Sequence, residues 1–291
     1  MDYIALAKRA YQITIKHPFL WIFGMFVVGT VGFSNIGSLN DKDRAGLHNI
    51  SQAQINNYIN EHWSLVCYLA GILIVLVAVC FVFAIISQGA LIGTTEKLEQ
   101  KEKADFHIGF KIGNKFFSRL LGLGIVYFLI IMLGTFILFT PFLMFIAGKM
   151  VVPAVIWGFF ALIVFVALAI SVQLVSPYAS RILVLEDKSI KQSFKDANKF
   201  ACKHLGKIIL VYLTIAIISA IFVTCFALAL ILVGSILALI GVAIWLASAI
   251  AGILYVAAVG SALLIVIIMI GAAFKAFQSV LLTLAYKELK K

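Results

Sequence analysis

The sequence predicts an all-α fold, a polytopic transmembrane bundle of about six spans. Three observations carry this prediction. Hydrophobic residues make up 64% of the 291 residues and charged residues only 12%, against about 25% charged in an ordinary soluble domain. The apolar residues come in runs of 20 or more, and about 20 suffice to cross a bilayer core. The basic residues flank these runs and fall unevenly between the two sides.

The stretch Met1 to His17 alternates charged and apolar residues. The first apolar run begins at Pro18 and has no small-x-small cleavage site before the next loop, so it reads as a retained span. Spans are expected at about 18–36, 65–93, 119–147, 153–177, 206–233 and 253–280. Segment 36–64 is polar, whereas 94–118 and 178–205 are basic. Residues 206–280 have almost no polar interruption. A third span there would carry the terminal KELKK to the opposite side. Two spans are therefore expected, with 234–252 as an outer connector or re-entrant segment.

Twenty of the 23 Lys and Arg residues then fall on one side, and Lys42, Arg44 and Lys149 on the other. Positive charge collects in cytoplasmic loops, which puts both termini inside. The net charge of +11 sits around spans, which suits anionic headgroups and not nucleic acid.

Two segments are visibly similar. Asn114 to Gly122 reads NKFFSRLLG and Asn198 to Gly206 reads NKFACKHLG, 84 residues apart. Lys16 and His17 align with Lys203 and His204. The same alignment brings Asp2, Asp105 and Ser189 together, each a residue type that N-caps helices. Gln192, three residues after Ser189, completes a capping-box pattern. Each segment continues as an amphipathic helix, over about 2–16, 105–118 and 189–204. The single membrane domain, 1–291, thus divides into units of about 1–94, 95–178 and 179–291, each with an interfacial helix and a hairpin. Three such units suggest a pseudo-threefold arrangement.

A helix with one apolar and one basic face suits a membrane surface. The candidate contacts to anionic lipid are Lys8, Arg9 and Lys16 in the first unit and Lys111, Lys115 and Arg119 in the second. In the third they are Lys191, Lys195, Lys199, Lys203 and Lys207. Phe194, Phe200 and Leu205 are expected to be buried on the opposite face. Membrane lipids are the partner this implies, and no protein partner can be named.

None of the twelve acidic residues lies inside a predicted span, and the five histidines sit in loops or at interfaces. Ion-coupled carriers commonly hold ionisable groups at mid-membrane depth. No His-Glu-x-x-His, G-x-S-x-G or paired membrane acids occur. An enzyme is not expected, nor a metal or cofactor. Cys67, Cys80, Cys202 and Cys225 lack C-x-x-C spacing and read as packing residues. The scattered Ser, Thr and Gln residues in spans read as inter-helix hydrogen bonders. A polar path through Gln88 and Gln173 is the alternative. Thr140-Pro141 and Ser176-Pro177 read as kinks or helix ends.

The opening, Tyr11 and then KHPFLWIFG from Lys16 to Gly24, resembles the multi-pass membrane domain found beside glycerophosphoryl diester phosphodiesterases and its prokaryotic relatives. The segment RILVLEDKSIKQSFKDANKFACKHLG, Arg181 to Gly206, and the ending LLTLAYKEL, Leu281 to Leu289, resemble the same group. The resemblance implies a membrane bundle in a prokaryotic plasma membrane. It carries over no catalytic residue, because the phosphodiesterase barrel of fused members has no counterpart here. The functional expectation is a non-enzymatic scaffold or helper of lipid or envelope processes, with a transporter or channel as the alternative.

Overall fold

The computed structural model describes residues 2–32 and 61–290. Those residues form helices without a strand: α1 (Tyr3–Lys16), α2 (Phe19–Gly32), α3 (Trp63–Glu99), α4 (Phe106–Ala147), α5 (Val151–Leu185), α6 (Ile190–Ala247) and α7 (Ala249–Lys290). Five of them, α3 to α7, are long and apolar enough to cross a membrane, so this is an all-helical membrane protein. A helix satisfies its backbone polar groups internally, which is what a hydrocarbon environment demands. The five later predicted spans each lie within one of these helices. Of the first, 18–36, α2 carries the part up to Gly32. The rest lies outside the described residues, as does the polar loop up to residue 60 with Lys42 and Arg44.

Segment 234–252 departs from expectation. It is no irregular connector, because α6 runs helical to Ala247 and α7 starts at Ala249. Only Ser248 is extended, at φ −159 and ψ 120. The segment contains no proline and is rich in Ala, Leu and Ile, which keeps it helical on both sides of Ser248. The turn is tight because Gly252 lies against Trp245, where a Cβ would meet the indole at 2.7 Å.

The second predicted surface helix also departs. Residues 106–118 are the first third of a continuous α4. The first and third units do break, at aligned histidines. His17 has φ −125 and ψ 76, and His204 has φ −118 and ψ 22. Pro18 forces His17 out of the helical region. Leu120, the aligned residue of the second unit, stays helical. Asp2, Asp105 and Ser189 each directly precede a helix. Only Asp2 caps with its side chain, accepting from the Ile4 and Ala5 amides at 3.0 and 3.1 Å. The Ser189 hydroxyl instead pairs with the Gln192 side chain at 3.1 Å.

The two prolines do not end helices, since Pro141 and Pro177 lie inside α4 and α5. Pro177 has no amide hydrogen, which releases the Gln173 carbonyl one turn earlier. The hydroxyl that takes it belongs to Tyr212 of α6, at 3.3 Å. The neighbouring Ser176 hydroxyl does not serve this role.

Helices α2 to α7 contact their sequence neighbours, and α2 also packs on α7, which closes a ring. At one end α3, α5 and α7 also touch one another. The three helices that complete the three units therefore form an inner triangle.

Burial is concentrated at the basic end. Side chains are buried over 84–95, at intervals over 109–127, over 178–184 and through much of 272–289. Between residues 128 and 177 only Ala154 and Ala161 are buried. Further out, residues such as Phe136 and Leu239 face outward, as lipid-facing side chains must.

Close approach at the packed end depends on glycines. A Cβ on Gly24 would lie 2.1 Å from the Ala272 carbonyl oxygen, and one on Gly113 2.2 Å from that of Ile86. Small residues let membrane helices meet backbone to backbone.

Candidate functional site

The basic residues and the core beneath them are built by the starts of α1, α4 and α6. On α6, Ser193, Ala197 and Ala201 are buried at four-residue spacing. Phe194 packs on Tyr127 and Phe200 on Tyr178 and Tyr286, with ring centroids 5.5, 5.6 and 5.2 Å apart. Lys191, Lys195, Lys199, Lys203 and Lys207 are exposed on the other side. Phe194 and Phe200 are half-buried, short of the burial expected, and Leu205 is exposed because the break at His204 turns it away from the core.

On α1, Leu6, Ala10 and Thr14 are buried, while Lys8, Arg9 and Lys16 are exposed. The expected apolar face is split. Part of it packs on α7, while Ile4, Tyr11 and Ile15 stay open, Ile4 at 82% exposure.

On α4, Lys111, Lys115 and Arg119 are exposed, but two of them are engaged. Lys115 binds Asp187 at 2.9 Å, and Arg119 binds the same carboxylate. Their hydrogen bonds hold the Asp187 carboxyl below its usual range. Asp187 has φ 49 in the tight turn between α5 and α6, a conformation that Asp tolerates better than most residues. Arg9 pairs with Glu99 at 3.5 Å. Lys8, Lys16, Lys111, Lys191, Lys195, Lys199, Lys203 and Lys207 have no carboxylate partner among the described residues. The free positive charge is therefore concentrated on α6.

Beneath it lies a lock at the ends of α5, α6 and α7. Glu186 accepts from Tyr286, from Lys290 at 2.7 Å and from Lys188 at 2.8 Å. Lys188 reaches on to Asp196 at 2.8 Å. Burial alone would raise the Glu186 carboxyl, but the hydrogen bonds from Lys188, Lys290 and Tyr286 outweigh it and hold the pKa at about 2. Next to this lock Arg181 is buried and donates to the Pro177 carbonyl at 2.6 Å and the Ser279 carbonyl at 3.1 Å. Sequence reasoning used Glu186 and Arg181 only as charges of a basic segment. Their partners on α7, Ser279, Tyr286 and Lys290, lie 98 to 104 residues away, and no local pattern signals such pairs.

The two glutamines of the alternative path do not share a site. Gln88 is half-buried in a cleft of about 520 Å³ between α3 and α4, beside Phe81, Leu120 and Phe128. Gln173 is exposed on α5. The hydroxyls of Thr135, Ser171, Thr214 and Ser219 donate to carbonyls four residues back on their own helices. A larger cavity, about 610 Å³, lies between α1, α2, α6 and α7 and is lined by Tyr11, Trp21, Phe222, Met269, Phe274 and other apolar groups. All four cysteines are exposed. This corrects their reading as packing residues: in spans, a small apolar thiol is as well solvated by lipid as by a core. No cluster of metal-ligating residues occurs among the described residues.

No protein-family model, curated protein or solved structure matches the chain.

Proposed function

We propose that this chain is a non-enzymatic membrane protein that acts at the anionic inner leaflet of a prokaryotic plasma membrane, as a scaffold or helper of lipid or envelope processes. The observation that carries the reading is the α6 segment 190–204. It packs by Phe194 and Phe200 and, with Lys207 just beyond it, leaves Lys191, Lys195, Lys199, Lys203 and Lys207 exposed without acidic partners among the described residues. Each surface-proximal lysine contributes about 1 kcal/mol of attraction to anionic lipid, and salt weakens it. The apolar 610 Å³ cavity and the hydroxyls bonded within their own helices weigh against a polar conduit. The likeness of Lys16 to Gly24, Arg181 to Gly206 and Leu281 to Leu289 to the phosphodiesterase-associated membrane domain supports a membrane role and no hydrolase activity.

Replacing Lys191, Lys195, Lys199, Lys203 and Lys207 together by Gln should weaken binding of the detergent-purified protein to phosphatidylglycerol vesicles at low salt by a hundredfold or more, on the order of 1 kcal/mol per lysine. Vesicle flotation reads this. Unchanged binding would remove the reading.

The same proposal places α1, the lysine segment and the C-terminus in the cytoplasm. Cys202 is exposed beside Lys199 and Lys203. In a variant with Cys67, Cys80 and Cys225 replaced by Ser, an impermeant maleimide should label Cys202 only after the cells are opened. Lys149→Cys, in the turn between α4 and α5, should be labelled from outside. The reverse pattern would invert the topology.

A further inference from the structure

The cavity of about 610 Å³ lies where α1 descends along α7. Asp2, Leu6 and Arg9 share a small recess with Leu284 and Glu288, whereas Tyr11, Thr14 and Ile15 share the larger cavity with Ala273, Phe274 and Phe277. The C-terminal end of α1 therefore caps a groove that continues along α7 to Val266. Trp21 closes the α2 side. Its Nε1 donates to the Thr14 carbonyl at 3.0 Å, across the break at His17, which fixes the indole in the wall. Phe222 of α6 stacks on Phe274 with centroids 4.3 Å apart and closes the α6 side.

The groove is dry by composition. Thr14 donates its hydroxyl to the Ala10 carbonyl at 2.9 Å and the Trp21 N–H is taken. Tyr11 is then the one polar side chain of the wall without a hydrogen bond among the described residues. Apolar cavities exclude water. The groove is open to the side, since Tyr11, Ile15 and Met269 are 59%, 50% and 51% exposed. From Val266 to Phe277 its wall runs about 16 Å along α7 at 1.5 Å per residue. That is about half of the roughly 30 Å hydrocarbon core, the depth of one leaflet. At the capped end, Lys16 directly follows Ile15 of the wall. It is exposed and has no carboxylate partner among the described residues.

We propose that this groove seats one acyl chain of an anionic phospholipid of the inner leaflet, with the headgroup phosphate at Lys16. A bare hydrocarbon would fill the groove and leave the ammonium unused, and a free anion would use the ammonium and leave the groove empty. A molecule with one leaflet's length of tail and a negative head satisfies both. The choice of leaflet rests on the orientation proposed above. The groove itself shares no residue with the α6 lysines.

The test uses the full chain in dodecyl maltoside. Native mass spectrometry counts phospholipid carried through purification and taken up on titration with phosphatidylglycerol or phosphatidylcholine. The wild type should hold one phospholipid and prefer phosphatidylglycerol. Ala273→Trp and Met269→Trp put bulk into the groove and should each bind about tenfold or more weaker, as a built-in clash does. Elution volume and unfolding temperature check that they fold, and two variants are used so that misfolding of one leaves the other to decide. Lys16→Gln should lower the preference for phosphatidylglycerol by about fivefold, as for one lysine at an anionic surface, and leave phosphatidylcholine uptake unchanged. The five-lysine variant on α6 should keep the bound lipid, so loss of the surface role proposed for α6 and loss of this site are read separately. No bound phospholipid in the wild type, or equal binding by the wild type and a folded groove variant, would overturn the site. Equal affinity for the two lipids would overturn the place given to Lys16. Loss in the α6 variant with both groove variants unaffected would place the lipid on the surface lysines and overturn the proposal too.

Discussion

Gly113→Val is expected to abolish the packed end of the bundle, and Gly24→Val to do the same from the other side of the ring. A Cβ at Gly113 would lie 2.2 Å from the Ile86 carbonyl oxygen, and one at Gly24 2.1 Å from that of Ala272. Both obstacles are backbone, so no rotamer change relieves them. The helices must separate, and α3 loses α4 in one case while α2 loses α7 in the other. Overpacking costs about 1 to 3 kcal/mol where side chains can shift, and more where they cannot. Each variant should therefore lose about 3 kcal/mol or more, read as a lower unfolding temperature and poor monodispersity in detergent. Gly124 and Gly234 provide the control, since nothing lies within 4 Å of a Cβ there. Their alanine variants should be neutral or gain up to about 1 kcal/mol, the usual helix-interior difference. Wild-type stability of Gly113→Val would show that α3 and α4 do not meet as described.

Glu186→Gln should unlock the ends of α5, α6 and α7. The carboxylate is 17% exposed, and its partners Lys188 and Lys290 are 36% and 55% exposed. Solvent screening therefore takes part of the gain, and a loss of about 2 kcal/mol is expected. The pH dependence has a definite sign. The folded pKa of about 2 lies below the ordinary 4.5, so the unfolded chain binds the proton more readily. The stabilisation is complete above about pH 4.5 and disappears as pH falls towards 2. Unfolding measured over this window should show a slope in the wild type that Glu186→Gln reduces. An identical slope in both would assign the acid sensitivity to other carboxylates.

The sequence was informative about spans and faces, and less so about continuity. A run of apolar residues flanked by lysines requires a membrane helix wherever it occurs, which is why all five long helices contain their predicted spans. Lys195, Lys199 and Lys203 lie outward because four-residue spacing keeps them opposite Ala197 and Ala201. Whether one helix ends before the next begins depends on breakers, however. Pro18 supplies one after His17, whereas nothing comparable follows Ser118, so 106–118 runs on into α4 despite its similarity to 190–204. Segment 234–252 is helical on both sides of Ser248, since charge balance limits the number of crossings but not the shape of the turn. Arg181, Glu186 and Tyr286 were beyond local reasoning. Their roles come from packing three distant helix ends together, and residue type alone does not distinguish a buried guanidinium from an orienting one.

The α6–α7 hairpin has a consequence for the bilayer itself. Residues 208–274 contain no charged side chain, and the part of this stretch on α6, 208–247, is helical throughout. That limb measures about 60 Å at 1.5 Å per residue, twice the roughly 30 Å of hydrocarbon available. Upright, it would drive about half its apolar length into water. Tilt, curvature or local thickening of the lipid must absorb the excess, each at fractions of a kcal/mol per Å. The energy of this protein in a membrane therefore depends on how thick that membrane is. Acyl-chain length becomes a physical variable that sorts the protein, with longer-chain domains favoured over thin ones.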